Sequence, residues 1–457
     1  MQKSHATDLT QGPIGRGLLL FTAPLLCGQI LQQLYNTVDA WVLGNFESAQ
    51  GLAGITAIEA TIRLIISLVS GFSIGGSVII SRYFGERNRE NTIAAMHACF
   101  IFGLIASALS TIICSLLARP VLVWVSVPAD ILPISLSYLR IYFLGISTVI
   151  MYNICMSIMR AVGDSMHPLF YLLISCVTNI VLDLLFVVVF HWGVAGTALA
   201  TVLSQGLSCI LCMLHMQKAQ DETHMDLAHL HLKKGMMGEI IRQGLPMSIQ
   251  NSVSNIGNMV VQSNFNLYDQ LYEGGKGLMV AGMGAYTKVE GLCFLPFSTM
   301  GLSLPTFISQ NYGAKKYDRL RKGAAFGILI TSAFAALLGL LFYFFAPQAI
   351  GLFVTDSVAL HYGVLHTHTA ALFFGMVAFC QCTAGVLRGC GKALIPMISM
   401  LSCWCVIRVC YVTLAMKFFP SYPAIVAAYP ITWTLCAMVL GIALYRVLRK
   451  KGLENAH

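Results

Sequence analysis

The sequence predicts an all-α polytopic membrane protein of twelve transmembrane helices, built as two pseudo-two-fold related six-helix bundles around a central cavity. Three observations carry that prediction. The 457 residues are 57% hydrophobic and only 10% charged, too apolar for a soluble core to absorb. A bilayer core of about 30 Å needs roughly 20 apolar residues per helix, and such runs recur along the chain between short polar connections. Sliding the chain against itself by 228 residues superposes one half on the other, the mark of a duplicated unit.

The first span, 16–43, follows a polar N-terminal stretch that lacks the apolar region and small-residue cleavage site of a removable signal peptide, so it is expected to direct insertion itself. Pro24 breaks a backbone hydrogen bond inside it and provides a hinge. Span 51–81 ends at the basic loop of Arg82, Arg87 and Arg89, and spans 92–118 and 133–160 lead to Arg160. Spans 168–190 and 193–216 complete the first half. The polar, charged stretch that follows reads as a linker, dividing the chain into an N-lobe (1–216), a cytoplasmic linker (217–238) and a C-lobe (239–457). The second half runs through 237–267, 277–309, 322–346, 361–387, 395–416 and 423–446. Several spans exceed the minimum length, which implies tilt or protrusion.

The repeat is specific at its loops. YFGERNREN at 83–91 faces NYGAKKYDR at 311–319, and MRAVGDSMHP faces LRGCGKALIP, superposing Arg160 on Arg388, Gly163 on Gly391 and Pro168 on Pro396. Near the start the register shifts and Pro24 faces Pro246. Six-helix halves of parallel topology imply a pseudo-two-fold axis along the membrane normal. Of the 28 basic residues, 21 fall at alternate connections, while the opposite ones hold only Arg119, Arg140, Lys276 and Lys417. The positive-inside rule therefore places both termini in the cytoplasm of a multi-pass inner-membrane protein. The formal charge of +9 is explained by that topology, and no aromatic-interleaved basic groove suggests a nucleic-acid partner.

Enzyme chemistry finds little support. The fifteen cysteines are spread through the apolar segments as packing residues, and the Cys209/Cys212 pair lacks the second ligand pair a zinc site needs. His224, His229 and His231 read as solvated linker residues. An intramembrane aspartyl protease could use Tyr268–Asp269, but the partner AVGD at 161–164 lacks the required glycine and both lie at helix ends. No catalytic residue and no cofactor is expected.

What stands out is the intramembrane charge: Asp39, Glu59, Arg63, Asp183, Lys288, Glu290 and Arg408. Each costs ~2.5–3.5 kcal/mol at a helix centre, so pairing or function is the default reading. Asn179 lies one turn before Asp183, and Thr197 and Thr201 form a one-turn pair on the next helix. Asp183 and Thr201 are each ~12 Å below the outer turn between their helices and Asp39 ~8 Å below the same surface. Two carboxylates, an amide and hydroxyls at one depth suit a hard cation or a shared proton. A buried hydrogen-bond network that only fixes helix packing is the alternative. Glu59 and Arg63 read as a local pair. Lys288 and Glu290 do not face each other, so Glu290 and Arg408 are expected to meet. Tyr35, Met259, Tyr286 and Phe297, with Glu290 and Arg408, are candidates for a substrate cavity or gate, ordinary core being the alternative for the apolar and aromatic ones.

LYNTVDAWVLG at 34–44, the paired loops at Arg160 and Arg388, GVAGTALAT at 193–201 and the duplicated halves make the chain similar to the MATE (multidrug and toxic compound extrusion) transporters over essentially its whole length. The resemblance to the DinF-like branch implies an N-lobe ion site at Asp39, Asn179, Asp183, Thr197 and Thr201, with position 197 contributing a backbone carbonyl. The acids of NorM-like members would fall near Ser254 and Asn255 and about Met376 to Ala378, where this chain has none. The implied activity is antiport: a monomer exporting amphipathic organic cations or drugs for inward Na⁺ or H⁺, with Pro24 as the hinge. The implied alternative is a flippase or exporter of a lipid-linked or endogenous metabolite.

Overall fold

The computed structural model describes residues 7–46, 49–124, 127–219, 221, 223–272 and 274–449, with their side chains except those of 40, 49–57, 59 and 60. The expected Glu59–Arg63 pair thus falls outside the described residues. The first half comprises α1 (Ile14–Phe46), α2 (Ala49–Gly85) and α3 (Arg89–Trp124). It continues with α4 (Leu132–Leu144 and Ile146–Ala161, bent by 47°), α5 (Met166–Val189) and α6 (Gly193–Lys218). The second half comprises α7 (Met236–Tyr272), α8 (Leu278–Gly313) and α9 (Tyr317–Phe344). It ends with α10 (Ser357–Gly389), α11 (Leu394–Phe418) and α12 (Tyr422–Leu448). Among the described residues there is no strand.

Ten of these helices are long and apolar enough to cross a membrane, eleven when the bent α4 pair counts as one span. The twelfth expected span, α7, is 37 residues long, ample for a bilayer, but Gln243, Gln250, Asn251, Asn255, Asn258 and Gln262 dilute its hydropathy. The apolar faces confirm the solvent. On α3, Leu104, Ile105, Leu109, Ile112 and Leu116 are all exposed, and so on α9 are Leu329, Phe334, Leu337 and Leu340. Stripes of that kind are stable against lipid and not against water.

The internal repeat holds down to single hydrogen bonds. After α2, Arg87 has φ +58° and its N–H donates to Phe84 O (3.1 Å); after α8, Lys315 has φ +57° and donates to Tyr312 O (3.0 Å). After α4, Gly163 (φ +94°) donates to Arg160 O; after α10, Gly391 (φ +75°) donates to Arg388 O. Both pairs sit at the 228-residue offset. Arg87 and Lys315 are left-handed without being glycine, a cost of about 1 kcal/mol or more accepted in both copies.

By packing, the chain divides into two compact units: Leu19–Ser248 with the residues up to Gln11, and Ile249 onward with Gly12–Leu18. The stretch expected as a linker and the first turns of α7 pack with the first unit. There α2 and α7 cross backbone to backbone, since a Cβ on Gly75 would lie 2.4 Å from Gly244 Cα and one on Gly71 2.3 Å from Ser248 N. Such approach is available only to small residues. Gly75→Val is therefore expected to lower stability by about 1–3 kcal/mol, seen as an earlier melt in detergent; an unchanged melting temperature would show that this crossing is loose.

Candidate functional site: a carboxyl pair in the first unit

Three helices of the first unit bring the predicted ion-site residues together. Tyr35 and Asp39 lie one turn apart on α1, Asn179 and Asp183 one turn apart on α5, and Thr197 and Thr201 one turn apart on α6, so each pair presents one face. Asn179 and Asp183 are fully buried, and Thr197 and Thr201 nearly so. Asn179, its amide nitrogen turned to the acids, donates to Asp39 Oδ1 at 2.9 Å and Asp183 Oδ2 at 3.2 Å. One amide nitrogen thus bridges the two carboxyls, which also act on each other electrostatically. Tyr35 Oη donates to Thr201 Oγ1 (3.2 Å), and Thr201 Oγ1 donates to the Thr197 carbonyl (3.0 Å). Tyr35, expected in a substrate cavity, is thus wired into the ion site.

Two oxygens are left over. Asp183 Oδ1 and Thr197 Oγ1 are buried and have no hydrogen-bond partner, each a cost of about 1–3 kcal/mol. Two carboxyls bridged by one amide nitrogen, Asp183 fully buried and Asp39 half-buried, repel each other and are not both ionised without compensation. A proton shared between them, or a cation bound by their oxygens with the Thr197 and Thr201 hydroxyls and the Asn179 amide turned over to present its oxygen, resolves both problems. The donor set is all oxygen and suits a hard monovalent ion. Helix α5 changes to a π-helical segment, Leu184–Val189, directly after Asp183, a local widening that often accompanies functional positions. Pro24, buried, lies inside the continuous α1.

The second unit places its charges differently. Tyr286 Oη donates to Glu290 Oε1 at 2.8 Å. Arg408, 4% exposed, donates through Nε (3.1 Å) and Nη2 (3.0 Å) to Thr432 Oγ1. Its guanidinium lies 4.6 Å over the Tyr429 ring and 5.9 Å from that of Trp404. The expected Glu290–Arg408 contact is not made: the two groups act on each other through space, with no ion pair between them among the described residues. Lys288 instead points over Phe353. Phe297 is buried among Phe294 and Phe374 as core, and Met259 is 55% exposed.

Sequence reasoning missed Thr432, Tyr429 and His366. Buried His366 stacks on Tyr286 at 4.0 Å and bonds Tyr422 Oη through Nδ1 at 3.0 Å. The repeat offset held a usable signal: Tyr429 is the counterpart of Thr201, and Arg408 lies one residue beyond the counterpart of Asn179. Where one half carries an oxygen cage, the other carries a guanidinium on aromatic faces.

The family model MatE matches residues 24–185 and 246–414, one match in each half, each beginning at a repeat proline. The chain belongs to the MATE family. This MATE protein is 26% identical over 402 residues to the probable multidrug resistance protein YoeA of Bacillus subtilis, covering 86% of this chain and 85% of that one. It is 22% identical over 387 residues to the multidrug export protein MepA of Staphylococcus aureus (84% and 83% covered). It is also 22% identical over 458 residues to a FAD transporter of Shewanella oneidensis (97% and 96%). Its fold matches a crystal structure of MATE in complex with MaL6 at TM-score 0.91, with 20% identity and both chains fully covered. MATE proteins are multi-pass membrane transporters of small molecules, not enzymes, and the twelve-helix, two-bundle fold class follows.

Proposed function

We propose that this MATE protein is a secondary antiporter, exporting amphipathic organic cations in exchange for inward Na⁺ or H⁺ and coupled through Asp39, Asn179, Asp183, Thr197 and Thr201. It works as a monomer with both termini cytoplasmic. The observation that supports this most is the pair of carboxyls bridged by Asn179 beside Asp183 Oδ1 and Thr197 Oγ1, buried oxygens without a hydrogen-bond partner among the described residues. Arrival of a cation or proton compensates the two acids and changes which shape of α1, hinged at Pro24, is favoured; departure reverses it. Binding drives transport only by differing between the two shapes. One Na⁺ moving down a tenfold gradient and a 100 mV potential releases about 1.4 plus about 2.3 kcal/mol, roughly 500-fold accumulation of a neutral drug. One-for-one exchange with a monovalent cationic drug cancels the potential part and leaves only the chemical gradient.

Efflux of a fluorescent organic cation from energised right-side-out vesicles tests the reading. Replacing Na⁺ with choline at a fixed pH gradient stops efflux if Na⁺ couples it, and collapsing the pH gradient stops it if H⁺ does. Efflux indifferent to both overturns antiport. A second reading, export of an endogenous anionic or zwitterionic metabolite, draws support from Arg408, a buried cation without a direct carboxylate partner, and from the FAD transporter among the relatives.

A further inference from the structure

We propose that Asp164, His167 and His215 form a site for a divalent transition metal, Zn²⁺ by its ligand chemistry, that ties the end of α6 and the segment after it to the start of α5. The site lies apart from the ion-coupling residues and does not depend on the transport reading.

Asp164 is 1% exposed and sits at the turn that opens α5. Its Oδ1 accepts the backbone N–H of Met166 and of His167, each at 3.2 Å, so the carboxylate is oriented by the helix it caps. That leaves Oδ2 facing two imidazoles, His167 Nδ1 at 2.7 Å and His215 Nε2 at 3.9 Å. One ligand atom from each of the three residues lies within 4.8 Å of the others. Tetrahedral coordination with bonds of about 2.0–2.1 Å sets ligand atoms about 3.4 Å apart. The two separations from Asp164 Oδ2, 2.7 Å and 3.9 Å, bracket that value, and small side-chain rotations close the site.

The hydrogen-bonded cap alone would need only Asp164 and His167. His215 stands too far from Asp164 for a hydrogen bond, yet it is aimed there. Tyr171 Oη lies 3.0 Å from its Nδ1, which holds the ring and leaves Nε2 as the atom facing Asp164. A ligating histidine with its second nitrogen held in this way is the usual arrangement around zinc.

Thr223 Oγ1, 3.4 Å from the same Nε2, brings in the segment after α6. Asp221 accepts from the Thr223 backbone N–H and acts electrostatically on both imidazoles. Two neutral imidazoles and two acids suit a doubly charged cation, with a water or the Thr223 hydroxyl as fourth ligand.

Full-length protein in detergent, stripped with chelator, is titrated with Co²⁺ and read by visible ligand-field absorption, then back-titrated with Zn²⁺. One saturable, tetrahedral Co²⁺ per chain, displaced by Zn²⁺, is expected. His167→Ala and His215→Ala should each weaken binding at least tenfold, Tyr171→Phe about tenfold, and His229→Ala, on the exposed part of the linker, not at all. His215→Gln, which keeps a polar contact for Tyr171, serves if the alanine variant misfolds. No saturable Co²⁺ in the wild type, binding that survives His215→Gln in folded protein, or binding lost with His229→Ala would each overturn the site.

Discussion

Asp183→Asn is expected to abolish ion-coupled efflux while the protein still folds and inserts. The amide has the shape of the carboxyl and keeps a partner for Asn179, which now bridges at 3.2 Å and 2.9 Å. It removes one of the two adjacent acids whose mutual repulsion makes occupancy by a cation or proton matter. Moving a two-state equilibrium from 1:99 to 99:1 takes about 5.5 kcal/mol of differential binding, more than the single Asp39 carboxylate left with two amides and two hydroxyls is expected to supply to a monovalent cation. Efflux should fall to the uncoupled leak, and Asp39→Asn should do the same. Thermal stability should stay level or rise, because replacing the buried Asp183 beside a second acid relieves its desolvation and the repulsion between the two. Ion-gradient-driven efflux by Asp183→Asn vesicles at wild-type rate would remove the carboxyl pair from the mechanism.

Arg408→Ala is expected to cost about 3 kcal/mol or more of stability, the largest of any single change in the second unit. The substitution strips Thr432 Oγ1 of both guanidinium bonds and the Tyr429 and Trp404 rings of their cation. It also leaves Glu290 with only the Tyr286 hydroxyl. A half-buried acid that loses the charge acting on it through space adds to that loss. The double variant Arg408→Ala with Glu290→Gln should therefore recover a large part of the loss. Equal melting temperatures for the single and double variants would mean that the two charges do not sense each other. Uptake assays on the same variants bear on substrate charge: if Arg408 receives an anionic group, Arg408→Ala loses anionic substrates and keeps cationic ones.

Much of this was readable in advance. Asp39, Asn179, Asp183, Thr197 and Thr201 could be grouped because helical periodicity puts i and i+4 on one face and membrane depth can be counted from a turn. Tyr35 obeyed the same rule, one turn before Asp39, but an aromatic on a helix face has too many roles for spacing to select one. Glu290 and Arg408 were expected to touch because both are costly in lipid. Each found a neutral partner instead: Glu290 the hydroxyl of Tyr286, one turn before it on the same helix, and Arg408 a threonine on the neighbouring helix, which no periodicity within one helix reports. Asp164 was visible only as a failed protease motif, and His215 as nothing at all, because their relation spans a turn and a helix length.

The amino-acid sequence alone determined the solvent, the number of spans, the duplication and the depth of the acids, since these depend on hydropathy and on distances along one helix. The tertiary structure decided which oxygen of Asp183 lacks a partner, that Arg408 rests on Tyr429, and that His215 faces Asp164. Those are matters of which helix packs beside which and how side chains turn at the contact, and they are settled only when burial forces each polar atom to find a partner or go without.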